Sequence, residues 1–331
     1  MGQIVVVTGA SAGVGRATAV AYGARGDTVA LLARGRAGLE AARREVEAAG
    51  GRALVVPTDV ADAAQVEAAA ARVERELGPI DVWVNSAMAA VLAEVGQTEP
   101  EEFRRVVEVT FLGSVYGTMA ALKRMGPRDR GTIVQVGSAL AYRGIPLQAS
   151  YCGAKHGLQG FFESLRVELL HQGSNLRYTM VQLPGLNTPQ FTWVRVRGLA
   201  RRPRPVAPVY QPEVAARAIV WASEHGRREV WVGGATVGTI LGSRLAPWFA
   251  DRVLARTNYE GQQTDEPLEP DRRDYLFAPL DDDEDRGTRG PFAGESASRS
   301  LQLRLRMHRG AAWGAAAGLL AAAGVARARA G

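Results

Sequence analysis

Short aliphatic runs alternate with helical stretches as far as residue 232, and this alternation restricts the chain's folding more than any other feature. The runs fall at 3–8, 28–33, 53–57, 81–85, 132–136, 178–182 and 229–232. They are rich in Val, Ile and Thr, whose branching at Cβ suits an extended backbone. Between them, apolar residues recur at helical spacing, as at Ala17, Val20, Ala21 and Ala24. Strands joined by helical crossovers pair in parallel and are covered on both faces, so the expected fold class is α/β with a doubly wound parallel sheet. With 331 residues and 47% hydrophobic content the chain can bury a substantial core. One main domain over 1–258 is expected, and no internal repeat is evident.

The first run leads into Thr8-Gly9-Ala10-Ser11-Ala12-Gly13-Val14-Gly15 and then an alanine-rich helical stretch. Missing side chains let a diphosphate approach the first free N–H groups of that helix, where the dipole favours an anion. A glycine cluster alone is as often an ordinary turn. The second run supplies context: it ends where a Rossmann-type βαβ unit delivers its ribose-reading residue, about 20 residues past the glycines. No carboxylate stands there. Ala33 and Arg34 occupy the strand end with Arg36 close by, and a guanidinium suits a 2′-phosphate, which favours NADP(H) over NAD(H). The bland alternative is that both arginines are solvated loop charges.

Tyr151 and Lys155 lie one helical turn apart, with Ser138 upstream at the end of the run 131–137. A phenol has an ordinary pKa of about 10, so Tyr151 needs nearby positive charge to exchange protons near neutrality. Lys155 at i+4 offers it. Such a pair arises by chance on many helices, but Lys155 and Lys123 are the only lysines in an arginine-rich chain. Ser138, at the carboxyl edge of the expected sheet, could hydrogen-bond a substrate carbonyl.

Together the glycine turn, Asp59-Val60, Ser138, Tyr151 to Lys155, and Pro184-Gly185 with Thr188 resemble the short-chain dehydrogenase/reductase family over roughly residues 1–255. The resemblance implies that Gly9, Gly13 and Gly15, with Ser11 and Val14 in the same turn, border the diphosphate. Asp59 and Val60 would approach the adenine, and Asn85 would end the fourth strand beside the coenzyme. Pro184, Gly185 and Thr188 would lie against the nicotinamide amide, and Lys155 would bind the nicotinamide ribose and lower the Tyr151 pKa. Asp59 also reads as a helix cap, although Asp62 suits that role better. Two departures stand out. Asn85-Ser86-Ala87-Met88 ends in methionine where the family has glycine, and Thr110 falls where the family has a catalytic asparagine. A threonine hydroxyl could still position a water for a proton relay, or could bond back to its own helix.

The expected activity is an NADP(H)-dependent oxidoreductase interconverting a carbonyl and a secondary alcohol on a moderately apolar small molecule. A weakly catalytic NADP(H)-sensing or scaffold protein is the alternative. Cys152 reads as a small buried hydrophobe, and the histidines show no ligand spacing, so no metal is expected. The net charge of +6 rests on arginines, several of them at 195–204, where the family forms a substrate lid. With Phe191, Trp193 and Tyr210, that lid suggests an apolar substrate, one bearing an acidic group, an anionic lipid surface, or simply a solvated loop. No motif supports nucleic-acid binding. The family resemblance points to a homo-oligomer.

Residues 259–300 turn polar, with the acidic run 281–285, and read as a poorly ordered linker. Residues 301–331 form a basic, Ala/Gly-rich tail whose uncharged span, 310–326, has 17 residues. That is short for a spanning helix. A weak membrane contact, a helix packed on the protein and a frayed tail all remain open. One cysteine and a start that runs straight into the first strand point to the cytoplasm.

Overall fold

The computed structural model describes residues 2–308 and contains the expected α/β architecture. Seven strands, β1 (Ile4–Thr8), β2 (Thr28–Ala33), β3 (Arg52–Pro57), β4 (Val82–Asn85), β5 (Thr132–Val136), β6 (Arg177–Gln182) and β7 (Glu229–Trp231), form one parallel sheet. Its order is β3-β2-β1-β4-β5-β6-β7. Val5 lies between Val29 of β2 and Val82 of β4, so β1 is central and the strand order reverses beside it. That switch point opens a crevice at the carboxyl ends of the strands.

Alternate residues of each strand feed opposite cores, because successive Cβ atoms point to opposite faces. Helices α1 (Gly13–Gly23), α2 (Arg36–Ala48) and α7 (Pro212–His225) cover one face, where Tyr22, Leu39 and Ile219 pack on Val5, Val7 and Leu31. Helices α3 (Ala63–Leu77), α4 (Pro100–Val107), α5 (Gly113–Met125) and α6 (Ala149–His171) cover the other, where Val66, Val106 and Phe162 meet Val6, Trp83 and Ile133. Asp62 caps α3 by accepting from the Ala64 and Gln65 N–H groups. Glu99 and Glu102 form a capping box around Pro100 at the start of α4. A π-helical turn, Glu108–Leu112, joins α4 to α5.

The stretch 259–300, expected to be a loose linker, instead packs along the α/β body. Residues Gln263–Pro267 pair antiparallel with Arg201–Pro203, and Leu276 is fully buried. Composition misleads here because the acidic residues have partners: Arg195 pairs with Asp274, Arg202 with Glu269 and Arg204 with Glu295. The lid arginines are therefore engaged within the chain, which removes the basis for reading them as an open anion-binding surface. A short helix, Leu301–Met307, follows with Leu303 buried. The uncharged span 310–326 lies outside the described residues. Among the described residues no helix is long and apolar enough to cross a membrane.

Candidate active site

The carboxyl ends of β1, β4, β5 and β6 open onto a cleft of about 480 Å³. Gly9, Ser11, Gly13, Val14, Gly15, Arg34, Asp59 and Val60 line one end of it, and Ser138, Tyr151, Lys155, Pro184, Gly185 and Thr188 line the other. The turn after β1 needs its glycines. Gly9 has φ +69°, and a Cβ there would come within 2.8 Å of the Ala87 Cα.

Ser138 follows β5, its hydroxyl accepting the Leu140 N–H at 3.1 Å and reaching the Tyr151 phenol as a hydrogen-bond partner. Helix α6 carries Tyr151 and Lys155 on the face turned to the cleft. Lys155 Nζ donates to the Val136 carbonyl at 2.7 Å and lies 5.6 Å from the centre of the Tyr151 ring. Burial lowers the Lys155 pKa to about 8. Burial also raises the Tyr151 phenol above its ordinary value, with the Ser138 hydrogen bond pulling the other way. The ammonium is anchored to the strand end, and the phenol lies above its ordinary value, not below it as expected. Tyr151 holds its proton at neutral pH.

Two residues expected at the site stand behind its wall. Asn85 is buried, its amide donating to the Ser114 carbonyl and Thr118 hydroxyl and its oxygen accepting from Trp83 Nε1, so it fastens β4 to α5. Thr110, fully buried on the π-turn, bonds across to a neighbouring loop and not back to its own helix. Its hydroxyl accepts from the Ala89 N–H and donates to the Ala89 carbonyl, both at 2.9 Å. It holds the loop that brings Met88 to the cleft. In this arrangement the Thr110 hydroxyl positions the Ala89 backbone.

Asp59 leaves the capping of α3 to Asp62 and stands at the edge of the cleft. One oxygen accepts from the Ala61 N–H, the other receives Arg105 at 2.6 Å, and the residue lines the cleft. Arg34 does not meet the expectation of a free guanidinium. It donates to the main-chain carbonyls of Tyr275, Leu276 and Phe277. Sequence reasoning missed Tyr275 and Asp281, both of which line the cleft. The Tyr275 hydroxyl accepts from the Ala90 N–H at 3.1 Å and lies 3.8 Å from Met88 Sδ. Its only signal was an aromatic and aliphatic triplet, 275–277, inside a polar stretch.

A dinucleotide fits these residues. The glycine turn gives a floor without side chains, and buried Lys155, which donates to one backbone carbonyl, is among the residues lining the cleft. Among the described residues no group of His, Cys, Asp and Glu is arranged to hold a metal ion.

Residues 3–195 match the family model described as short chain dehydrogenase. The chain belongs to that family. It is accordingly an oxidoreductase by family, and its relatives span most of the described fold. An uncharacterized oxidoreductase, YxnA, of Bacillus subtilis is 30% identical over 86% of this chain and 81% of its own length. The 3-dehydrosphinganine reductase of Danio rerio is 34% identical over 57% of this chain, which spans 58% of that relative. Among solved structures, a metagenomic short-chain oxidoreductase in complex with NADP superposes with a TM-score of 0.59 at 28% identity, covering 70% of this chain and 96% of the other.

Proposed function

We propose that this short-chain dehydrogenase uses a nicotinamide dinucleotide to interconvert a carbonyl and a secondary alcohol on a moderately apolar small molecule. The observation that carries the reading is the convergence of Ser138, Tyr151 and Lys155 on one cleft whose other end is floored by the glycine turn. The solved metagenomic relative, a complex with NADP, supports the coenzyme class.

When bound, the coenzyme supplies or accepts the hydride. Ser138 donates a hydrogen bond to the substrate oxygen and fixes its position. Tyr151, protonated at neutral pH, gives its proton to that oxygen during reduction and takes the alcohol proton in the reverse direction, work typically worth ~10²–10⁴-fold. Lys155 keeps a positive charge beside the phenol and offers its free N–H groups to a ribose. Met88, Ile145, Leu186, Phe191, Trp193 and Leu254 give the substrate end an apolar wall, which supports an apolar substrate.

The preference for NADP(H) rested on Arg34 being free to meet a 2′-phosphate. Its engagement with 275–277 leaves the form of the coenzyme to that segment. The sensor alternative drew on Thr110 and on the unusual tail; Thr110 has a positioning role of its own. Family membership supports a homo-oligomer, which light scattering would check. Turnover of NADH and NADPH against a panel of ketones and aldehydes tests the activity. Loss of all reduction across that panel, with coenzyme binding intact, would favour the sensor.

A further inference from the structure

We propose that Asp281, brought from the C-terminal segment onto the β2–α2 corner, reads the 2′ position of the coenzyme ribose and makes the full chain select NAD(H) over NADP(H). The inference rests on the nicotinamide dinucleotide reading of the cleft.

Three observations converge on that corner. First, β2 ends without a carboxylate, and Gly35, which follows Arg34, has no side chain to offer. The Asp281 carboxylate takes its place: a Cβ on Gly35 would overlap it, and a Cβ on Gly38 would lie 2.9 Å from its Oδ2 and from Ser11 Cβ. Asp281 is only 6% exposed, yet it lines the cleft beside Arg34 and Ser11. The acid that a βαβ unit normally carries on its second strand is supplied here from far along the chain.

Second, the Arg34 guanidinium and the backbone N–H groups that would welcome a 2′-phosphate are already engaged by the same segment. The Arg34 guanidinium holds the carbonyls of 275–277. At the start of α2, the Gly38 N–H donates to the Asp281 carbonyl at 2.9 Å, the Ala37 N–H to the Asp282 carbonyl at 3.1 Å and the Arg36 N–H to Asp282 Oδ1 at 3.0 Å. A phosphate dianion arriving there meets a carboxylate and no free backbone donor from that helix turn. A ribose 2′-hydroxyl meets an acceptor.

Third, the segment is also fastened beyond the corner, on the C-terminal side of Asp281. Asp285 pairs with Arg16, itself 2% exposed and paired with Glu45 at 2.8 Å. The Gly287 carbonyl accepts from the Gly13 N–H at 3.3 Å, and the Gly290 N–H donates to the Asn187 carbonyl at 3.1 Å. The fastening holds the carboxylate in register with the β2 end.

The test measures binding, independent of turnover, by titration calorimetry on the full chain with NAD⁺, NADP⁺, ADP and 2′,5′-ADP. The wild type is expected to bind NAD⁺ and ADP more tightly than their 2′-phosphorylated counterparts. Asp281→Asn, which keeps the shape and removes the charge, should tighten NADP⁺ roughly ten- to hundredfold, the scale of relieving one like-charge contact at a partly buried site. The same variant should weaken NAD⁺ several-fold. Asp281→Ala serves as a second variant, with thermal unfolding to show that each is folded. Wild-type preference for NADP⁺, or equal shifts for both coenzymes, would overturn the inference while leaving the dinucleotide reading intact. Binding of neither coenzyme to wild type but of both to Asp281→Ala would make the segment a plug and overturn selection. Binding of neither to any folded form would overturn both readings.

Discussion

The hydroxyl of Thr110 holds both backbone groups of Ala89, accepting from its N–H and donating to its carbonyl, each at 2.9 Å. Because Ala89 is 2% exposed, neither group has water as a substitute. Thr110→Val keeps the shape and strands both, so stability should fall by about 2 kcal/mol in urea unfolding. Thr110→Ser should stay near wild type. If the hydroxyl serves only to hold Ala89, the pH profile of turnover should keep its form in both variants; a displaced profile would restore Thr110 to the proton path.

Tyr151 and Lys155 should fail differently. Tyr151→Phe removes the transferable proton and leaves the cleft's shape, so turnover should drop ~10²–10⁴-fold with coenzyme affinity unchanged. Lys155→Met removes the buried ammonium, and both coenzyme affinity and turnover should fall. Equal losses of affinity in the two variants would contradict the division of roles.

The burial of Lys155 makes stability and coenzyme affinity move in opposite directions with pH. Its folded pKa of about 8 lies below its ordinary 10.5. Between those values the unfolded chain binds more protons than the folded one, so this group's contribution to stability rises with pH across that window. Coenzyme affinity, which uses the charged form, should decline as pH passes about 8. The buried phenols act in the opposite sense. Tyr22, Tyr151 and Tyr275 keep their protons in the fold beyond the pH at which the unfolded chain releases them, so stability should fall above pH ~10. Urea titrations of wild type and Lys155→Met at pH 7 to 10 would isolate the lysine, whose signature is a difference that changes steadily above pH 8.

Glu102 ties the start of α4 to the lid. Burial pushes its carboxyl up, but hydrogen bonds from Arg197 and Arg195 and from the Glu99 N–H outweigh this and hold it below the usual range. Glu102→Ala removes the capping box and takes the carboxylate from Arg197, while Arg195 keeps Asp274, which should cost about 2–3 kcal/mol. The carboxyl's pKa is depressed in the fold, so its stabilisation is complete above the unfolded value and is lost as pH falls through the folded one. The gap between wild type and variant should therefore narrow below pH ~4. A gap independent of pH would show that packing alone accounts for the loss.

The amino-acid sequence by itself determined the sheet, the glycine-floored crevice and the placement of Ser138, Tyr151 and Lys155. These are local signals: β-branched runs, a turn that only glycine fits, and two side chains one helical turn apart on α6. Asp62 as a cap was legible for the same reason, since a cap lies within three residues of the groups it satisfies. Asn85 and Thr110 were misplaced because their motifs fix a strand end and a helix but not which way the side chain turns. The tertiary structure alone decided that Asp281 stands at Gly35 and that Arg34 is engaged by 275–277. Composition marks residues 259–300 as solvated charge, and no local pattern says that arginines far away in the chain neutralise it. Pairing across such distances leaves no periodicity in the sequence, so it becomes visible only when the fold brings the partners together.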